Sequence, residues 1–536
     1  TICAAPCLIL SIMILYHTMR RALLSWEATA LLLIVIFGGL LFFNSLLPAD
    51  CFNKEEAQHG LYGLWIYKDL KSLDWRNFWY DTQRQIYWPF LHSWFLGLFF
   101  LLFGVSYLSA RLLSFVVFLC TLFLIYWASR RLDERQGWKI GLIALVLALT
   151  SPLFVKYAFQ NTLEASGALL FLVSYYFYVI CQERKAILYY VPLAFLLGLS
   201  LYLNYSYAYL MLPAFLIASL GKLGPITVEA IQLHAKGEKA ALPFLWWAYR
   251  KLIVLTILLL LAASWFFSAA FYRKILLLQQ AIFRNISGGQ ISGFWQNLFY
   301  YPGVIIKEYA FSPWLGILMV FSLFLPFVAL RYWRLGKLYT FIWTVLILAT
   351  LTISVRAPQF IYIISPFLFM ILAGGIVYFI EKKPTWLVWI LLMVFLPSLF
   401  SVGRIKNLYF PPPPSEKAIQ VLNYFHDAIP PRFPVAVSIN LQRLNPEVFS
   451  FHFWDWNAPI LTNLVVAENE MLRQAKYFFA VELDPKSPYQ AEVLDDSLIR
   501  WNNLLREWLQ LGRIREYSER RFESLGLTAK IYEKNR

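Results

Sequence analysis

A chain of 536 residues that is 60% apolar and only 15% charged, with a mean hydropathy of +0.58, is too oily to be a string of soluble domains. Its apolar runs of about 16 to 22 residues match the ~20 needed to cross a ~30 Å hydrocarbon core. The net charge of +16 raises nucleic acid as a partner, but Lys and Arg lie in short loops between apolar runs. That is the signature of cytoplasmic loops in a polytopic membrane protein and argues against nucleic-acid binding. The cysteines Cys3, Cys7, Cys51, Cys120 and Cys181 form no CxxC or zinc-like spacing and read as small buried hydrophobes.

In chain order, residues 1–18 carry no charge, and Met19-Arg20-Arg21 before an apolar run reads as a natural start, so 1–18 is expected to be an upstream extension. Span one (28–47) leaves the cytoplasm and opens into an outer loop, 48–104, which holds NKEEAQHGLYG and the aromatic stretch RQIYWPFLHSWFLGLFF. That stretch is expected to form helices lying in the interface. Spans two to four (105–128, 138–155, 163–181) are separated by Arg130, Arg131 and Arg135 on the inner side and end at Arg184 and Lys185. Spans five and six (187–203, 205–220) form a hairpin with its tip outside, and the Lys- and Arg-bearing loop 221–251 is expected to be cytoplasmic. Span seven (252–271) leads to a second outer loop, 272–312, and spans eight to eleven follow at 313–330, 338–355, 359–380 and 385–402. After Pro411–Pro414, a stiff linker, short β-like runs (FPVAVSI, AKYFFAVEL) and a charged helical stretch suggest a small outer α+β domain. The expected organisation is thus an N-terminal segment 1–27, a transmembrane domain 28–402 and a C-terminal domain 403–536.

Ionisable groups at membrane depth are costly and default to functional candidates. On this map they collect near the outer face: Glu55, Glu56 and His59, then Lys156 and Glu164, then Arg356, with Asn161 and Asn204 at the same level. Each also has a structural reading. Asn53 can cap a helix with Glu56 closing a capping box, His59 can pair with Glu55 at i,i+4, Lys156 can pair with Glu164, and Arg356 can snorkel. The chemistry that fits is displacement at a sugar carbon attached to a lipid phosphate, with a carboxylate taking the acceptor proton and a guanidinium meeting the departing phosphate. No DxD, GxGxxG, P-loop or hydrolase-triad signature is present. Two carboxylates and a histidine leave a divalent metal open, although adjacent Glu55 and Glu56 project to different sides of a helix.

EEAQHGLYG followed by YWPFLHSWFLGLFFLLFGVSYLSARLLS resembles the first outer loop of GT-C membrane glycosyltransferases, most of all the bacterial aminoarabinose-transferase and protein-mannosyltransferase-like group. QNTLEASGALLF, GLSLYLNYSYAYLMLP and SVRAPQFIYIISP resemble that group's later motifs in order, over residues 30–380. The resemblance implies a GT-C fold of about 11 transmembrane helices with outer-face interfacial helices. It implies a polyprenyl-phosphate sugar donor, a glycan, lipid or protein acceptor, and a site facing the periplasm of a bacterial inner membrane. By position, Glu55 and Glu164 would be catalytic. Glu56, His59, Tyr87 in the aromatic loop, Lys156, Asn204, Arg356 and Gln359 would bind substrate. Two departures stand out: the first acid is Glu where the group has Asp, and lysines that the aminoarabinose transferases carry near Trp88 and Asn204 are missing. A lipid-linked-sugar flippase and a surface-polysaccharide polymerase or ligase are the competing functions.

Overall fold

The computed structural model describes residues 25–535 apart from 86–87, 185–186, 236–240, 263, 265–274, 277–293, 325–332, 353–356, 383–393, 395–396, 399–400, 412–416 and 463–467. The chain is mostly helical. Helix α1 (Trp26–Leu41) starts at Ser25, whose Oγ accepts from Ala28 N, and continues through a wider turn to Leu46. The loop expected at 48–104 holds three helices: α2 (Lys54–Ser72), α3 (Trp75–Arg84) and α4 (Leu91–Phe103). Gly104, at φ +77°, makes the left-handed step into α5 (Tyr107–Arg130), which begins with a Ser106–Ser109 capping box. Helices α6 (Gly137–Leu149) and α7 (Pro152–Lys156) meet at a 69° bend, with Pro152 opening the second. The span expected at 138–155 is therefore two rods.

Helix α8 (Glu164–Arg184) is followed by α9 (Tyr190–Leu203), α10 (Tyr205–Ala235) and α11 (Ala241–Ala262). The expected 221–251 loop is thereby corrected. Helix α10 runs through Gly221, Gly224 and Pro225 to Ala235 and α11 starts at Ala241, while 236–240 lie outside the described residues. The segment expected as a second loop, 272–312, carries α12 (Phe294–Val304) among its described residues. Helices α13 (Pro313–Ser322), α14 (Trp333–Thr352), α15 (Gln359–Tyr362) and α16 (Ser365–Lys382) follow, then α17 (Val402–Tyr409). Most of the span expected at 385–402, and Pro412–Pro414 of the linker, lie outside the described residues.

Among the described residues, Trp26–Leu46, Tyr107–Arg130 and Glu164–Glu183 are long and apolar enough to cross a bilayer singly, and the bent pair is a further candidate. Shorter apolar helices pack around them, so the chain is a multi-pass membrane protein. Helix α16 is the axis of this bundle: Phe367 to Ala373 are buried on every side, as expected of a helix apolar all round. Cys51 and Cys181 are buried free thiols as expected, Cys120 is instead exposed on α5, and Cys3 and Cys7 lie outside the described residues.

Beyond α17 the chain builds α18 (Ala418–Ala428), β1 (Val435–Val437), α19 (Pro446–His452), β2 (Ile460–Thr462), α20 (Glu468–Gln474), β3 (Tyr477–Leu483), α21 (Ser497–Gln510), β4 (Ile514–Phe522) and β5 (Leu527–Lys534). The strands form one mixed sheet in the order β2-β1-β3-β5-β4, parallel across β2, β1 and β3 and antiparallel across β3, β5 and β4. FPVAVSI and AKYFFAVEL supply β1 and β3. The charged tail is helical only to Gln510. The rest is a hairpin whose outer strand, IREYSERRF, faces solvent along most of its length, which hid it among charged residues. Trp501 and Trp508 of α21 bury their rings against Phe478 of β3. One apolar core joins this sheet to α2 and α4 through Phe451, Phe52 and Phe100.

Candidate active site

Helix α2 starts at Lys54 because Asn53 caps it. Asn53 Oδ1 accepts from Glu56 N at 2.9 Å and Glu56 Oε2 accepts from Asn53 N at 3.1 Å, a complete capping box. Its other end is closed by Leu73 in the left-handed region. Packing against α4 is close because Gly63 faces Leu96; a Cβ there would stand 2.5 Å from Leu96 Cγ.

The two neighbouring carboxylates have different surroundings. Glu56 is buried and fully engaged: Arg111 of α5 donates Nε to Oε1 at 2.7 Å and Nη2 to Oε2 at 2.9 Å, and Asn161 N donates to Oε1 at 3.0 Å. Arg111 spends two further donors on the carbonyls of Asp50 (2.5 Å) and Cys51 (3.1 Å). This is a bidentate buried pair with its lone pairs filled, which is what makes such a pair tolerable. The expectation that Glu56 contacts substrate is thus revised: its oxygens are spent on the frame. Glu55, one residue earlier, is half-buried, and among the described residues no cation contributes to its electrostatics. Burial, then the charges of Glu164 and Glu56, raise its carboxyl from the ordinary 4.5 to about 8.

Glu164 sits at the N-terminus of α8, 3% exposed, with the hydroxyls of Thr162 and Tyr207 beside it. Its Oε2 finds no hydrogen-bond partner among the described residues. Tyr157 stands in the field of both Glu55 and Glu164, and its hydroxyl donates to Gln359 Oε1 at 3.4 Å. Tyr362 packs on Tyr157 at 4.9 Å between ring centroids and donates to Phe154 O at 2.8 Å. Segments far apart in sequence, at 55, 157, 164, 207 and 359, thus meet around the Glu55–Glu164 pair.

On the other side of Glu56, Asn161 is fully buried and its Nδ2 donates to Glu56 O at 3.0 Å. Its Oδ1 can then only accept, so His92 donates to it from Nε2 at 3.0 Å. His59 lies buried between Trp88 (5.2 Å between centroids) and His92 (5.4 Å), and its Nε2 has no partner among the described residues. Burial, then His92, lowers its pKa and keeps the ring neutral. An apolar cavity of about 310 Å³ opens next to this cluster between α4, α5, α8 and α9, lined by Leu91, His92, Leu113, Ser166, Leu170 and Leu199.

The remaining candidates divide. Asn204 is buried, but its Oδ1 accepts from Ser206 N at 2.8 Å and starts α10, a capping role. Lys156 is exposed at the end of α7, and among the described residues no ion pair joins it to Glu164. Tyr87 and Arg356 lie outside the described residues. No group of three or more His, Cys, Asp or Glu side chains among the described residues could hold a metal ion. Arg111, Tyr157 and Tyr207 were not singled out from the sequence. Arg111 carried a signal, a charge inside the apolar run YLSARLLSF, whereas two tyrosines among 32 carry none.

Residues 88–247 match the family model of dolichyl-phosphate-mannose-protein mannosyltransferases. No curated protein matches the chain. The crystal structure of ArnT from Cupriavidus metallidurans in the apo state aligns over 95% of this chain and 98% of its own, at 14% identity and a TM-score of 0.56. The same protein bound to undecaprenyl phosphate aligns over 94% and 97%, at 15% identity and a TM-score of 0.53. This likeness shows that the chain has the ArnT fold, in keeping with the GT-C fold that the ordered motifs resemble and with the mannosyltransferase match over residues 88–247.

Proposed function

We propose that the chain is a membrane glycosyltransferase that moves a sugar from a polyprenyl-phosphate donor to a glycan, lipid or protein acceptor at the outer face of a bacterial inner membrane. The observation that carries this reading is the uncapped carboxylate of Glu55, set by a rigid frame against Glu164 in an ArnT-like fold. Burial raises the proton affinity of Glu55, which suits a base that must take a proton from an acceptor hydroxyl. In the reaction the acceptor oxygen bonds to the anomeric carbon, the bond from that carbon to the phosphate oxygen breaks, and the hydroxyl proton passes to Glu55. The lipid leaves as polyprenyl phosphate.

Glu164 and His59 orient the reacting hydroxyls, with Tyr157 and Gln359 as further hydrogen-bonding groups. Lys156, with the guanidinium of Arg356, holds the phosphate through positive charge. The aromatic stretch around Tyr87 and Trp88 lines lipid access. Glu56 and Asn204 hold backbone in place. Support also comes from the bound lipid of the ArnT structure, which carries the undecaprenyl phosphate this reading expects as a product.

The test supplies labelled polyprenyl-phosphate sugars to the purified protein in detergent with candidate acceptors. Donor consumed only when an acceptor is present supports transfer. Intact donor carried across vesicles without loss of its sugar overturns it in favour of a flippase.

A further inference from the structure

We infer that Asp50 is a positioning residue for Glu55, because its carboxylate fastens the C-terminal α+β unit to the segment from which α2 starts. The inference rests on the proposed role of Glu55 but not on the identity of sugar or acceptor.

The first N–H groups of any helix lack intrahelical partners, and a side chain just before the helix normally supplies them. Helix α18 is served differently. Asp50 Oδ2 accepts from Ala418 N at 3.0 Å and Oδ1 from Ile419 N at 2.9 Å, from a residue 368 positions away in the chain. A carboxylate at a helix N-terminus also meets the positive end of the helix dipole. Arg443 Nη1 donates to Oδ2 at 3.3 Å, and Lys417 Nζ donates to Pro48 O. Asp50 meanwhile shapes its own segment: Oδ1 accepts from Cys51 N at 2.8 Å, and its carbonyl accepts from Arg111 Nη1 at 2.5 Å. Arg111 in turn grips Glu56. One residue therefore joins the C-terminal unit, the α5 guanidinium and the N-terminus of α2, five positions before Glu55.

A second, separate contact presses the same two bodies together. A Cβ on Gly60 would lie 2.8 Å from Phe52 Cε2 and 3.1 Å from Phe451 of α19, so only glycine lets that ring sit on α2. Tyr107 and His452 close the seam at 3.1 Å between Oη and Nδ1. Glu55 is thus clamped from the C-terminal side against Glu164, Glu56, Tyr157 and Tyr207, the titratable groups in whose field it stands.

The test reads where Glu55 sits without requiring turnover. The carboxyl C=O infrared band that is present in the wild type and absent in Glu55→Gln is followed against pH in the full-length protein in detergent. The wild-type band is expected to titrate near 8. In Asp50→Asn the loosened α2 start lets water reach Glu55, and the midpoint is expected to fall by about one pH unit or more. Gly60→Ala, which pries the seam at its other contact and leaves Asp50 intact, is expected to shift it the same way. In an active preparation kcat falls in both while KM for the donor holds. Midpoints at the wild-type value in both variants overturn the inference, whether or not stability changes. Should the wild type transfer no sugar, the functional proposal fails but the infrared titration still decides this one.

Discussion

Glu55→Gln separates a chemical role from a structural one, because the two make opposite demands. The substitution keeps shape and removes the charge. The folded-state value near 8 lies above the unfolded 4.5, so the folded chain holds the proton more tightly. Stability is therefore greatest below 4.5 and is lost as pH rises through about 8. The two protonation states differ by at most about 5 kcal/mol, and the partial exposure of Glu55 reduces this to a few kcal/mol. Gln pays none of that penalty. Thermal unfolding in detergent should show the variant level with wild type at pH 4.5 and more stable at pH 9. Transfer activity should instead fall, because losing a positioned base costs about 10²–10⁴-fold. A variant that is stabilised at high pH yet turns over at the wild-type rate refutes the base assignment. One that is destabilised at pH 9 refutes the electrostatic account of the site.

Wild-type activity, followed from pH 6 to 9.5, should rise through an apparent value near 8 as Glu55 gives up its proton; a flat profile counts against it. Arg111→Met strands the buried Glu56 carboxylate and should cost about 3–5 kcal/mol. Adding Glu56→Gln should recover part of that loss in the same unfolding assay. Gly63→Ala drives a methyl into Leu96 and should cost about 1–3 kcal/mol, with α2 and α4 parting slightly. Lys156→Ala, at an exposed position, should leave stability within about 0.5 kcal/mol while raising KM for the lipid-phosphate donor several-fold; an unchanged KM removes Lys156 from the phosphate site.

Periodicity and charge placement in the sequence locate the bundle, the outer helices and the stray acids, since hydropathy and a buried charge are one-dimensional signals. Glu55 and Glu164 stand out for that reason, and the structure sets each in the other's field. The split between Glu55 and Glu56 is legible only as far as the Asn53 capping box, because the deciding partner, Arg111, approaches from another helix. Asp50 is out of reach of sequence reasoning altogether. An acid at the edge of a loop is unremarkable until the amide groups of Ala418 and Ile419 arrive to meet it. The Lys- and Arg-bearing stretch expected as a loop at 221–251 is helical through Ala235 and again from Ala241, because charge alone does not distinguish a loop from a helix that continues past the apolar run.

Helix α10 has a consequence for orientation. Thirty-one residues at 1.5 Å each give a length of about 46 Å, some 16 Å more than a hydrocarbon core of ~30 Å. If it stands upright, about ten residues must project into water as a rigid post, together with the start of α11. The sequence loads this region with Lys222, Lys236, Lys239, Arg250 and Lys251. A single cysteine placed on the post and probed with a membrane-impermeant label would report the sidedness of the whole molecule directly, with no need to count the spans between the post and either terminus.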